Sequence, residues 1–136
     1  MSQDKRKIII AEDEPTLMDM YKLYFERAGF RVLNAENGRQ CIDFAKNEKP
    51  DLILLDILMP KVDGWEVLEQ LKTDETTKQI PILVFSNLGQ TQEVQKGLDL
   101  GADDYVIKSD LTPKELLAKV EQMILKSDTD TQKAPG

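Results

Sequence analysis

Histidine is absent from the 136 residues, and cysteine and tryptophan occur once each. Without histidine there is no His-based zinc site, no Ser-His or Cys-His nucleophile pair, and no histidine to carry a phosphoryl group. A single cysteine, Cys41, excludes an internal disulfide. The polar segment Met1–Lys7 and the short apolar run Ile8–Ala11 do not read as a secretion leader, so a reducing, cytoplasmic location is expected. No apolar run approaches the roughly 18 residues of a membrane span. Positive charge is also scarce: 18 basic residues face 25 acidic ones, for a net charge of −7. Such a chain repels phosphate backbones, so no direct nucleic-acid binding is expected. The one dense basic cluster, Lys5-Arg6-Lys7, is too short to line a groove. Any chemistry must therefore come from carboxylates, hydroxyls and lysine.

What remains suits one soluble domain, with 40% hydrophobic and 32% charged residues. Five short aliphatic runs punctuate the chain: Ile8–Ala11, Val32–Ala35, Leu52–Leu55, Ile82–Phe85 and Tyr105–Ile107. Nearly unbroken runs of this kind are strands buried on both faces. Helical stripes alternate with them. Leu17, Met18, Tyr21, Phe25 and Ala28 form the first, stopped by Gly29; Cys41, Ile42 and Ala45 form the second; Val67, Leu68 and Leu71 form the third, behind Asp63 and Glu66 at capping-box spacing. The fourth helix, about 91–100, has only Val94 and Leu98 as a stripe, and Gly97 within it costs about 1 kcal/mol relative to alanine. The fifth is well specified: Thr112 caps, Pro113 opens, Glu115 closes a capping box, and Leu116, Leu117, Val120 and Ile124 form the buried face. Alternating strands and helices predict an α/β, doubly wound three-layer sandwich. Its five-stranded parallel sheet takes the flavodoxin-like order 2-1-3-4-5, with five helices. The globular unit is expected over residues 1–126, and 127–136 as a polar, disordered tail.

Ligands of such sheets bind at the carboxyl ends of the strands. The residues just past the runs are Glu12 and Asp13 after the first, Asp56 after the third, Ser86 after the fourth and Lys108 after the fifth. In order 2-1-3-4-5 the first and third strands are neighbours, so Glu12, Asp13 and Asp56 converge. Gathered carboxylates repel one another, and a hard divalent cation such as Mg2+ relieves that repulsion. With Lys108 as a fixed positive charge and Ser86 as a hydroxyl donor, the group describes a phosphoryl-transfer site. Asp56 is its nucleophile, forming an acyl phosphate.

This constellation, with Met59-Pro60 and Asp63-Gly64 behind Asp56, resembles the receiver domains of two-component response regulators over about Lys7–Lys126. The stand-alone, chemotaxis-regulator-like members are the nearest pattern. The resemblance implies that Asp56 is the phosphoacceptor, charged by a sensor histidine kinase or phosphotransfer protein. It implies Asp13 as the direct Mg2+ ligand, Glu12 acting through water, and the backbone carbonyl of Leu58 as the remaining protein ligand. Ser86 and Lys108 then contact the phosphoryl group, and Tyr105 is an aromatic switch. The chain departs from the pattern twice: Ser109 stands where a cis proline is usual, and Asn87 where a small residue is common. Both read as tuning changes.

Taken singly, most of these residues have plainer readings. Glu12 and Asp13 suit a helix N-terminus, Ser86 and Lys108 suit strand ends, and Tyr105 suits half-buried packing. Asp56 is different, because it interrupts the apolar stretch Leu52–Met59. Five such groups on one rim make the joint reading the better one. The expected protein is a monomeric phosphoacceptor switch, not an enzyme in its own right, that signals by contacting an output protein. Phosphorylation is expected to draw Ser86 and residues 87–90 toward the acceptor and let Tyr105 rotate inward, with the fourth helix, fifth strand and fifth helix as the partner face. Three alternatives stay open. One is a receiver from a longer regulator. Another is an aspartate-nucleophile phosphatase or dehalogenase, although Leu58 stands where its acid-base aspartate would be. The third is a flavodoxin-like carrier, although Glu12-Asp13-Glu14 repels phosphate.

Overall fold

The computed structural model describes residues 5–59 and 63–133, with side chains as far as Asp128. Pro60, of the Met59-Pro60 pair, lies outside the described residues. The elements alternate along the chain: β1 (Lys7–Ala11), α1 (Pro15–Arg27), β2 (Arg31–Ala35), α2 (Gly38–Glu48), β3 (Leu52–Leu55), α3 (Gly64–Thr73), β4 (Ile82–Ser86), α4 (Thr91–Asp99), β5 (Asp104–Ile107), a 3-10 turn (Lys108–Asp110) and α5 (Pro113–Lys133). All strand pairs are parallel, in the order β2-β1-β3-β4-β5. This is the expected doubly wound sandwich.

Strand alternation divides the aliphatic runs between two cores. Ile9, Ile53, Leu55 and Val84 face α2 and α3, where Cys41, Ala45, Leu68 and Leu71 close over them. Ile8, Ile10, Leu54 and Phe85 face α1 and α5, against Met18, Phe25, Leu116 and Val120. Burial on both faces is why β1, β3 and β4 read as unbroken apolar runs.

The helix ends follow their capping residues. Glu14 accepts from the Leu17 N–H at 2.8 Å with Pro15 behind it, and Asp63 accepts from the Trp65 N–H at 3.0 Å. Thr112 and Glu115 exchange both bonds of their capping box. The α4 capping box, Gln90 with Glu93, starts the helix on time. Its buried face differs from the expected stripe: Gly97 is buried, while Leu98 is 39% exposed and Val94 half-buried. A Cβ at Gly97 would lie 2.8 Å from Tyr105 Cδ2, so the glycine makes room for a ring rather than weakening the helix idly. The end of α5 also differs. Residues 127–133, expected as disordered tail, continue the helix. No glycine or proline interrupts them, and Arg6 pairs with Asp128, fixing the extra turns against the start of β1. Residues 134–136 lie outside the described residues.

Candidate functional site

The site forms because β1, β3, β4 and β5 all end on one rim. Paired register carries Ala11 beside Leu55, Leu55 beside Val84, and Ser86 beside Ile107. Glu12, Asp56 and Lys108 directly follow β1, β3 and β5 at that rim, and Ser86 ends β4 there. Glu12 is steadied through its backbone, donating to the Ala35 carbonyl at 3.1 Å, and Asp56 does the same to the Ala11 carbonyl at 3.2 Å.

Glu12, Asp13 and Asp56 each place one carboxylate oxygen within 4.8 Å of the others. Glu12 and Asp56 are buried, and Asp13 is exposed. Lys108 reaches across from the end of β5 and bonds both buried acids, donating to Asp56 Oδ2 at 2.8 Å and to Glu12 Oε1. Its ammonium also lies 5.0 Å from the centre of the Phe85 ring. Burial pulls the lysine pKa down, but the hydrogen bonds and charges of Asp56 and Glu12 outweigh it, leaving the group above its ordinary value. The other faces of these acids accept backbone N–H groups: Leu58 donates to Asp56 Oδ1 at 3.0 Å and Glu14 to Glu12 Oε2 at 3.0 Å. No buried side-chain polar atom among the described residues lacks a partner.

An all-oxygen donor set, two acids buried and one facing solvent, fits a hard dication that keeps part of its water shell. Asp13 makes no hydrogen bond or ion pair among the described residues, so its oxygens are open to such an ion. Leu58 sits on the loop directly beyond Asp56.

Ser86 is fully buried at the end of β4, and its Oγ accepts the Leu88 N–H at 3.2 Å. The Tyr105 hydroxyl donates to the Leu88 carbonyl at 2.6 Å. Burial, then the charges of Glu93 and Asp56, push the Tyr105 phenol up, partly offset by a hydrogen bond with Ser86. The ring is buried, its hydroxyl held by the Leu88 carbonyl and its edge lying against Gly97.

Asn34, which sequence reasoning did not single out, supports the site from β2. Its Nδ2 donates to the carbonyls of Ile10 at 3.4 Å and Glu12 at 3.3 Å. The signal was available: Asn34 is the only polar residue in the run Val32–Ala35. Two further acids, at the start of β5, have structural tasks. Asp103 accepts from the Ile82 N–H and pairs with Lys72, and Asp104 pairs with Lys119. Cys41 is buried among apolar neighbours, which pushes its thiol pKa up to about 12. No helix of the described residues is long and apolar enough to cross a membrane.

Comparison with known proteins gives concordant results. The sequence profile described as the response regulator receiver domain matches residues 8–121. The DNA-binding dual master transcriptional regulator RpaA of Synechocystis sp. is 39% identical over 128 residues, spanning 94% of this chain and 53% of that protein. The phosphate regulon transcriptional regulatory protein PhoB of Pseudomonas aeruginosa is 36% identical over 130 residues, 96% of this chain and 56% of that protein. The chain thus spans about half the length of these curated relatives. In fold it is similar to a CheY-like response regulator receiver domain protein from Methanospirillum hungatei, with a TM-score of 0.86 and 24% identity over 93% of this chain and 99% of the other.

Proposed function

Because the chain belongs to the response regulator receiver domain family, whose members act as phosphoacceptor switches, we propose that Asp56 is its phosphoacceptor. The observation that carries this reading is the buried Asp56 carboxylate, bonded by Lys108 at 2.8 Å, within 4.8 Å of Glu12 and Asp13. Asp56 attacks phosphorus, the donor's bond to phosphorus breaks, and an acyl phosphate forms. Lys108 moves its bond from the carboxylate to a phosphoryl oxygen, and the Ser86 hydroxyl donates to another. Glu12, Asp13, Asp56 and the Leu58 carbonyl would hold Mg2+, which supplies charge against the phosphoryl oxygens when bound. Glu12 keeps Lys108 aimed at the rim while the phosphoryl group arrives.

The donor is a sensor histidine kinase or a phosphotransfer protein, and a small phosphodonor serves in vitro. The proposed receiver unit includes all of α5, whose last turns lie past residue 126, and acts as a monomer in the cytoplasm. Output is contact with another protein on the face of α4, β5 and α5, without direct binding of nucleic acid or membrane. Incubation with acetyl phosphate and Mg2+, followed by intact-mass measurement, should show one phosphoryl adduct. Asp56→Asn should abolish it, since an amide is no comparable nucleophile. Full labelling of that variant would sink the assignment.

The half-length match supports a second reading, in which the chain serves as the receiver portion of a longer transcriptional regulator. The intact mass of the cellular protein that yields the Asp56 peptide separates the two.

A further inference from the structure

Where the ladder between β4 and β5 ends, at Ser86 and Ile107, one more rung follows, made by a side chain. Asn87 Oδ1 accepts the Ser109 N–H at 3.1 Å. Asn87 directly follows the buried hydroxyl residue, and Ser109 directly follows the lysine. The two positions that set this chain apart from the usual receiver pattern are thus bonded to each other. The bond needs both: a proline at 109 has no N–H to give, and a small residue at 87 has no acceptor.

Its placement is mechanical. Lys108 is held on its N-terminal side by the strand ladder at Ile107, and it opens the 3-10 turn Lys108–Asp110. The N–H groups that open a helical turn have no partner within the turn, so Ser109 depends on an outside acceptor. The same loop touches β5 at two further points. Tyr105 bonds the Leu88 carbonyl, and the Ile107 side chain runs so close beneath Gly89 that a Cβ there would lie 2.9 Å from Ile107 Cδ1. Of the three ties, only the one from Asn87 reaches past the strand to the segment that aims Lys108.

We propose that Asn87 is a positioning residue that acts through Ser109 to hold Lys108 on Asp56 and to couple the Ser86 loop to the lysine loop. The proposal rests on the reading of Asp56 as phosphoacceptor. When Ser86 is drawn toward an arriving phosphoryl group, the Asn87 bond carries the Lys108 segment with it or must break. Asn87 is exposed, so replacing it leaves the core intact.

The test compares Asn87→Leu, similar in size without an acceptor, with Asn87→Asp, which keeps the oxygen. Amide exchange at Ser109 and the chemical shift of the Lys108 ammonium at one neutral pH, both followed by NMR without phosphodonor, are read beside the rate of Asp56 labelling by acetyl phosphate and Mg2+. Asn87→Leu should speed Ser109 exchange, move the Lys108 ammonium signal, and slow labelling by roughly three- to tenfold, the worth of one net hydrogen bond. Asn87→Asp should retain Ser109 protection, and label faster than the leucine variant. Unchanged Ser109 exchange or an unmoved Lys108 ammonium signal in Asn87→Leu overturns the proposal, as does equal slowing in both variants. Failure of the unsubstituted protein to label overturns the phosphoacceptor reading instead, while the two NMR arms still decide what Asn87 holds.

Discussion

Lys108 holds together two buried acids that would otherwise repel each other, and that sets what its removal does. Lys108→Met leaves Glu12 and Asp56 uncompensated, costing roughly 3 kcal/mol, the lower end for a broken buried pair. The same loss deepens the negative potential at the proposed cation site. The variant should therefore melt lower without metal and show a larger Mg2+-induced rise in Tm than the unsubstituted protein. Equal rises in the two would count against the shared site. The pH dependence follows from the raised lysine pKa. Its stabilisation is complete below the ordinary lysine value of 10.5 and is lost as pH climbs through the higher folded value. Lysine-dependent stability should thus be flat across neutral pH and fall only under strongly alkaline conditions, as a urea midpoint measured against pH would show. Cys41 follows the same sign: its thiol, pushed up to about 12, stays protonated and buried. Iodoacetamide at pH 8 should label it only as fast as the protein unfolds.

Glycine marks where helices approach their neighbours most closely. At Gly64, which opens α3, a Cβ would lie 2.4 Å from the Ile57 carbonyl oxygen and 2.5 Å from Ile57 Cα. Backbone cannot step aside as a side chain does, and Ile57 directly follows Asp56. Gly64→Ala should lower stability by about 1–3 kcal/mol and slow Asp56 labelling as well. Gly97 differs, because the obstacle is the Tyr105 ring. Alanine gains about 1 kcal/mol of helix propensity there but strikes the ring, so Gly97→Ala should lower Tm in the unsubstituted protein. In a Tyr105→Ala background the same change should raise Tm. A cycle of four melting curves tests this reversal, and additive effects would refute the contact. The sequence showed α4 to be the weakly striped helix, because its composition is local. It did not show that the stripe turns Gly97 inward, because that depends on a ring from β5.

For the molecule as a whole, the site exists only when four strand ends meet, so a ligand of the site is a ligand of the folded state. Mg2+ should raise Tm in proportion to its occupancy. Asp13→Asn should weaken that effect, since Asp13 is the acid of the trio that Lys108 leaves open. The same variant should gain slightly in metal-free stability through relief of repulsion. A Mg2+ titration followed by differential scanning calorimetry reads both quantities, and unchanged affinity would remove Asp13 from the ligand set.

Much of this architecture was present in the chain as written. Aliphatic runs spaced by helical stripes yield a parallel sheet, right-handed crossovers order it, and the polar residues after every run but the second put Glu12, Asp13, Asp56, Ser86 and Lys108 on one rim. Those inferences rest on short-range periodicity, which sequence preserves. Other features depended on groups far apart in the chain. Lys108 bonds Glu12 across 96 positions, Asn87 meets Ser109 across 22, and α5 continues past Lys126 beside Arg6, 122 positions from Asp128. Tyr105 lies inward for the same reason, since its rotamer is set by a carbonyl on a neighbouring loop and a missing Cβ on a helix. Local pattern selects the elements and the face each buries. Side-chain reach and clearance exist only once the elements are packed, and they decide which groups touch.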